Sequence, residues 1–255
     1  MDSDLARQLQ AKDFEALNTA RRLGERAMDT LTQALDSKDG EVRELAVMCL
    51  NEVPGSVPAP ALLRALNDSY VAIPARAAAY LMDHHSPEIL PDLLLALDRN
   101  RSAVVRARLA LVVGAIGDQS AVPQLVRRAE QPGPPEVVRS LRLALARLAA
   151  EPALSEFLAE LRAEDWRVRF QALRDFEYLH RPDLVGHVAP LLDDKTPVGT
   201  IDSPPARDVL RICDFAVLII AKVVKTPFGF NATGERIFTD AEIAAVKASI
   251  NNPGR

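Results

Sequence analysis

The stretch DSKDGEVRELAVMCL, residues 36–50, decides how this chain folds. It joins an acidic turn to an Ala/Leu-rich run in which Val42, Ala46 and Leu50 are spaced to fall on one face of a helix. The pair Val42-Arg43 that opens this run comes back three times, as Val105-Arg106, Val138-Arg139 and Val168-Arg169. The intervals are 63, 33 and 30 residues, and Ile73-Pro74 stands at the point that divides the first one. A period of about 30 residues predicts stacked helical repeats.

Each period is predicted to hold two helices. The first ends in an acidic or amide-bearing turn, whose side chains can cap the helix that follows. These turns contain Asp36, Asp39, Asn67, Asp68, Asp98, Glu164, Asp165, Asp193 and Asp194. Proline marks the start of later periods, because the first turn of a helix tolerates it. These prolines are Pro54, Pro58, Pro87, Pro123, Pro152 and Pro182. For the same reason Pro74 is expected near a helix start or at a bend.

The acidic turn, the Val-Arg pair and the Ala/Leu stripe together resemble the HEAT-repeat family, in the variety shared with phycobilisome-lyase-type repeats, over roughly residues 14–225. The resemblance implies an all-α fold, a right-handed α-solenoid of about six two-helix repeats with a C-terminal capping segment. It also implies that the second helices line the concave face. By the same resemblance, Asp39 would pair with Arg43, and Asp165 with Arg169, to tie adjacent repeats.

The predicted organisation is a single solenoid over residues 1–255. Residues 1–36 would form an N-terminal cap or first repeat, 37–194 the regular repeats, and 206–255 the last repeat helix and a C-terminal cap. Between them, residues 195–205 are predicted to be an inserted loop, because Ile212 follows Val168 by 44 residues, about 14 more than one period. Insertions in repeat proteins often lie on the binding face. Three side chains of this loop are therefore candidate binding residues: Thr196, Thr200 and Asp202.

The last part of the chain is predicted to close the solenoid, since an end repeat would otherwise expose an apolar face. Phe228, Phe230 and Phe238 are suited to cover that face, and a final helix is expected from about Asp240, as its N-cap, to Ile250.

Residues that carry chemistry are sparse. Cys49 and Cys213 lie far apart inside helical patterns, which favours free thiols in a reducing cytoplasm. His85 and His180 occupy equivalent turns, which favours a structural role over a metal site. The apolar run from Phe215 to Ala221 is too short to span a membrane. No catalytic residue, metal or cofactor is therefore predicted.

The function predicted from these features is a protein–protein interaction scaffold or adaptor. It would be cytoplasmic, monomeric by itself, and would bind a partner protein on the concave face. The net charge of −4 disfavours nucleic acid as the partner, and 25 Arg among 31 cations are typical of a GC-rich bacterial source. The candidate binding residues lie on successive second helices: Arg106, Arg139, Arg147, Trp166, Arg167, Arg169, Arg174 and Glu177.

Three alternatives stay open at this point. The first 100 residues hold 16 acidic and 10 basic side chains, a surplus suited to an immunity or antitoxin-like inhibitor of a basic toxin. The cluster at Trp166 and Arg167 resembles the nucleotide-binding residues of HEAT-like DNA glycosylases, although a strong basic track for phosphates is missing. The third alternative is a phycobilin-lyase-like enzyme, and the shared repeat type is the only feature of the sequence that supports it.

Overall fold

The computed structural model describes residues 2–53, 59–70, 72–85, 87–203, 206–225 and 228–251. The chain folds into two compact units, residues 1–148 and residues 149–255. Helices are the main secondary structure of both units, as the all-α prediction requires, and the strands found among the described residues form one short β-hairpin. Pro54 and Pro58, expected at a repeat start, lie outside the described residues.

The first unit consists of helices joined by short turns. They are α1 (Ser3–Gln10), α2 (Glu15–Leu23), α3 (Met28–Ala34), α4 (Gly40–Leu50), α5 (Ala59–Ala65), α6 (Ala72–Asp83), α7 (Leu90–Arg99), α8 (Ala103–Ile116), α9 (Val122–Ala129) and α10 (Pro135–Arg147). Helices pack in consecutive pairs, α3 on α4, α5 on α6, α7 on α8 and α9 on α10. The second helices of these pairs also pack on one another in the order α4, α6, α8, α10, which is the stacking of a helical repeat protein.

Apolar stripes on the second helices form the core of this unit. Val42 and Val105 are buried as predicted. In α10 the buried position is Val137, while Val138 is only half-buried, so the repeat follows Val105 by 32 residues and not 33. Pro134 and Pro135 fix where α10 begins, and this start sets the register of the stripe.

Side chains in the turns cap the second helices. The carboxylates of Asp39 and Asp165 accept hydrogen bonds from backbone N–H groups of α4 and of the equivalent helix in the second unit. The turn before α8 differs from the prediction, because Asp98 lies inside α7 and Ser102 is the N-cap. Pro74 lies in the first turn of α6, where its missing N–H costs no helical hydrogen bond.

The second unit contains α11 (Ala153–Glu160), α12 (Trp166–Leu179), β1 (Pro197–Ser203), β2 (Ala206–Arg211), α13 (Ile212–Val224) and α14 (Asp240–Asn251). Helix α11 packs on α12, and α12 packs on α13. Between α12 and β1 the chain forms two 3-10 segments, Pro182–His187 and Ala189–Asp193, where a first helix was expected. Pro190 has no N–H to donate, so an α-helix through this region would lose a hydrogen bond.

Helix α12 departs from the predicted apolar stripe at its start. Ala172 and Phe176 are buried, as expected, but Val168 is 37% exposed. Only the later turns of α12 therefore contribute to the core of the second unit.

The inserted segment is a β-hairpin, which corrects the prediction of an irregular loop over residues 195–205. Strands β1 and β2 pair antiparallel, with Thr200 opposite Val209 and Ser203 opposite Ala206, and the register shifts between Pro197 and Gly199. The run Val198 to Ile201 holds enough β-branched residues to support a strand. The backbone N–H of Ile212 then donates to the carbonyl of Thr196, which joins the hairpin base to α13.

The segment after α13 packs back on this unit through a buried carboxylate. Asp214 has no exposed surface and accepts hydrogen bonds from the Arg211 guanidinium, the Arg211 backbone N–H and the Phe238 backbone N–H. Phe238 is also buried. Helix α14 is capped by Thr239, and not by Asp240 as expected, because Thr239 and Glu242 form reciprocal hydrogen bonds of a capping box.

Candidate functional site

Arg43 on α4 binds the acid of the turn that follows the next helix. Its Nε lies 2.6 Å from Oδ2 of Asp68, and its Nη2 lies 2.7 Å from Oδ1. The third nitrogen, Nη1, donates to the carbonyl oxygen of Ser37 at 2.8 Å. This hydrogen bonding lowers the pKa of Asp68, against the opposing effect of its partial burial. All three guanidinium nitrogens are thus used to join two turns of the fold.

Arg169 on α12 makes the same connection in the second unit. Its Nε and Nη2 lie 2.9 and 2.7 Å from Oδ2 of Asp194, and its Nη1 donates to the carbonyl oxygen of Ala163. Burial raises the pKa of Asp194, but the hydrogen bonds from Thr196 and Arg169 together bring it below the usual value. Arg169, a predicted binding residue, therefore holds two turns together and does not offer its guanidinium to solvent.

The predicted pairing of each arginine with the acid of its own turn is wrong in both places. Asp39 and Asp165 cap their own helices instead. In each case the arginine reaches the acid 25 residues later, Asp68 for Arg43 and Asp194 for Arg169. We call this arrangement the Arg–Asp tie.

Arg106 on α8 occupies the equivalent position but has no tie. The residue 25 positions later is Gln131, in the uncharged turn Gln131–Pro134. The Nε of Arg106 is buried and has no hydrogen-bond partner among the described residues. Loss of the acid from this turn thus leaves a buried guanidinium donor unpaired.

A small cavity of about 140 Å³ lies beside Arg106. The turn from Gln131 to Pro134 and the apolar side chains of α10 form its walls, together with Asp98 and Arg128. Arg128 is bound to Asp98 through two hydrogen bonds of 2.7 and 2.6 Å. The cavity therefore holds one guanidinium that is neutralised and one that is not.

The two other predicted arginines of the first unit lie on α10. Arg139 and Arg147 are half-buried, and both already take part in interactions. They are placed on a second helix, as predicted, but neither is a free side chain.

Helix α12 brings the remaining candidates together on its surface. The guanidinium of Arg167 lies 4.8 Å from the centre of the Trp166 ring, and its side chain is 72% exposed. Two turns later, Arg174 is exposed, with its guanidinium 6.0 Å from the Phe170 ring. We call Trp166, Arg167, Phe170 and Arg174 the α12 surface.

Neighbouring contacts hold the α12 surface in place. The Phe170 ring packs edge-on against Phe215 of α13, with centroids 4.9 Å apart. Glu177, another candidate, forms an ion pair with Lys222 of α13 at 2.9 Å. The exposed arginines of α12 therefore project from a fixed support.

Sequence reasoning missed other exposed charges on second helices of the first unit. Arg76 pairs with Glu44 at 2.8 Å, and Arg108 donates to the carbonyl of Ala75 at 2.7 Å. Arg142 on α10 is exposed. The spacing of 32 residues from Glu44 to Arg76 and from Arg76 to Arg108 is a signal in the sequence that could have found two of them.

The candidates of the insertion are spread along the hairpin. Thr196 is half-buried, and its N–H donates to Asp194. Thr200 is exposed in β1. Asp202 pairs in register with Arg207, and its side chain lies outside the described residues. The structure does not gather these three residues into one site.

The cysteines and His85 lie in surroundings that indicate a structural role. Cys49 and Cys213 are free and buried; burial, with a smaller effect of Glu52, raises the pKa of Cys49 to about 12. His85 Nδ1 lies within hydrogen-bond distance of the Leu81 and Met82 carbonyls at the end of α6. Within the described part of the chain, no group of His, Cys, Asp and Glu is arranged to hold a metal ion.

None of the described helices has both the length and the apolar character that crossing a membrane would require. A comparison with curated proteins finds no match for this chain. The family model of HEAT repeats matches residues 59–146. That range begins with α5 and reaches the last turn of α10, so it covers three consecutive helix pairs. Residues 59–146, with their three stacked helix pairs, are therefore similar to HEAT repeats.

Proposed function

We propose that this protein is a non-enzymatic scaffold or adaptor that binds a partner protein through the exposed face of its second helices. HEAT repeats generally mediate protein interactions, and the matched repeats make up the centre of the first unit. The proposal includes a cytoplasmic location, in keeping with two free thiols. It also includes a bacterial source, a phycobilisome-lyase-type variety of repeat and a monomeric state in the absence of partner.

The α12 surface is the observation that carries this proposal. Trp and Arg are the residue types most enriched among those that contribute strongly to protein–protein binding. Here Arg167 lies over the Trp166 ring, and Arg174 lies near the Phe170 ring. An aromatic ring beneath a guanidinium restricts its motion, so less side-chain freedom is lost when a partner binds.

An arginine that takes part in an Arg–Asp tie is not available to bind a partner. Arg169 is 18% exposed and satisfied by Asp194, whereas Arg167, two residues earlier, is 72% exposed. A partner with an acidic surface would meet Arg167 and Arg174 without breaking any bond between turns. We therefore assign recognition to these two residues and a structural role to Arg169.

Affinity purification from a lysate of the source organism, followed by mass spectrometry, tests the proposal. The wild-type chain should retain a specific protein, and Arg167→Glu and Arg174→Glu should each release it. Arg127→Glu is the matched control, because Arg127 is an exposed arginine on α9, the first helix of its pair. Failure to retain any protein, or equal retention by all four chains, would contradict the proposal.

A further inference from the structure

The repeating tie predicts which chemical group belongs beside Arg106. At both complete ties the arginine Nε donates to an Asp carboxylate, 2.6 Å away for Arg43 and 2.9 Å away for Arg169. Arg106 stands at the same position on its own helix, with Gln131 in place of the acid. This junction therefore has the arginine of the tie but no carboxylate to pair with it.

An unpaired donor of this kind is costly. A guanidinium cannot lose its proton in proteins, so Arg106 cannot escape the cost by becoming neutral. Its buried Nε–H has lost hydrogen bonds to water and gained none from the described residues. A ligand that supplies an acceptor recovers this loss when it binds.

The surroundings of Arg106 favour an anion. Arg106 and Arg128 bring two positive charges to the cavity, and Asp98 brings one negative charge, which leaves a net charge of +1. The two oxygens of Asp98 are already engaged by Arg128. Pro132 and Pro134 offer no N–H groups, and the Arg128 guanidinium is already engaged by Asp98 and by two backbone carbonyls, so Arg106 is the charged donor left for the ligand.

From these observations we infer that the cavity beside Arg106 binds a carboxylate, supplied by an acidic side chain of the partner protein. The group would take the place that Asp68 and Asp194 take at the complete ties. The cavity, at about 140 Å³, is small and suits one such group better than a cofactor. The source of the carboxylate rests on the proposed function, but the chemistry of the site does not.

The experiment uses acetate as the probe and the arginine Nε–H signals of the full chain as the readout in ¹H–¹⁵N nuclear magnetic resonance. Acetate, phosphate and chloride are titrated separately at constant ionic strength, and the Arg106→Lys variant assigns the Arg106 signal by removing it. We expect acetate to move the Arg106 Nε–H signal downfield until it saturates. Chloride should leave it in place, and the tied Arg43 and Arg169 signals should not respond to acetate.

Two substitutions of Gln131 make the test specific. Gln131→Asp provides the missing acid from within the chain, so its Arg106 signal should lie downfield without acetate and should not respond to it. Gln131→Asn is the control, because Asn has the shape of Asp without its charge. Its Arg106 signal should respond to acetate as in the wild type. The inference fails if acetate acts no differently from chloride, if Gln131→Asp responds like the wild type, or if all arginines shift alike. A tighter response to phosphate than to acetate would overturn the carboxylate assignment. Because acetate is used in place of the partner, this titration tests the binding site separately from the proposed function. Either one can be contradicted while the other holds.

Discussion

The junction at Arg43 and the junction at Arg106 are two versions of the same structure. Both place an arginine one residue after a buried valine near the start of a second helix. The first is closed by Asp68, whereas the second faces Gln131 and a turn rich in proline. The comparison teaches that one arginine position can join two turns in one repeat and remain available in another. The difference depends on a residue in the turn that follows the next helix.

The largest effect is expected when a complete tie is broken. Arg43→Met should lower the free energy of unfolding by about 2–3 kcal/mol, because Asp68 and the Ser37 carbonyl lose a partly buried, charged partner. Arg106→Met should change it by only about 0.5 kcal/mol or less, since no partner of the Nε is lost. Urea denaturation followed by far-ultraviolet circular dichroism measures both. Equal losses in the two variants would show that the two junctions do not differ as described.

A smaller effect should appear when the wild type and Asp68→Asn are compared across pH. The pKa of Asp68 is lowered in the folded state, so its ionised form stabilises the fold above the unfolded pKa of about 3.9. That contribution is lost as the pH falls through the lower, folded pKa. The stability difference between the two chains should therefore be constant near neutral pH and shrink below about pH 4. A difference that stays constant down to pH 2 would contradict a role for the charge of Asp68.

Completing the open junction should have a modest stabilising effect. Gln131→Asp is expected to raise the free energy of unfolding by about 0.5–1 kcal/mol, because the new ion pair between an exposed turn residue and the half-buried Arg106 must also order the two side chains. Gln131→Asn controls for the change in side-chain length. Thermal denaturation of the three chains is sufficient to compare them, and a gain in Gln131→Asn as large as that in Gln131→Asp would remove the ion pair as the explanation.

The smallest effect on stability is expected on the α12 surface. Arg167→Glu should change the free energy of unfolding by about 0.5 kcal/mol or less, because Arg167 is exposed and its ion pair with Asp165 is long, at 3.8 Å. Arg169→Glu, two residues further along, should be strongly destabilising, because it places a carboxylate against Asp194. Similar melting temperatures for the two variants would contradict the separation of recognition from structure in α12.

Much of the fold could be predicted because its signals are local. The apolar stripe that begins at Val42 and the turn acids Asp39 and Asp165 act within one helix or at its end, and the structure has them as predicted. A local pattern also predicted the start of α14 within one residue. The capping box missed at Thr239 was present in the sequence as Thr239 and Glu242, three residues apart.

The candidate site could be predicted only in part, because contacts between turns are not local. The sequence pattern placed Arg106 and Arg169 on second helices, but it could not show that each faces the turn 25 residues later. The hairpin that begins at Pro197 was missed for a related reason, since two short strands depend on their pairing with each other. Exposure of Arg167 likewise depends on the neighbours that leave it uncovered.

The buried carboxylate of Asp214 determines where fusions and truncations of this chain can be made. A chain cut after Lys225 would retain α13 but would lose the Phe238 N–H that donates to Asp214. The Arg211 guanidinium, which also donates to the Phe238 carbonyl, would lose an acceptor at the same time. The segment from Phe228 to α14 is therefore an integral part of the folded unit and not a removable tail. A reporter or affinity tag on this side should follow α14 and should not replace it.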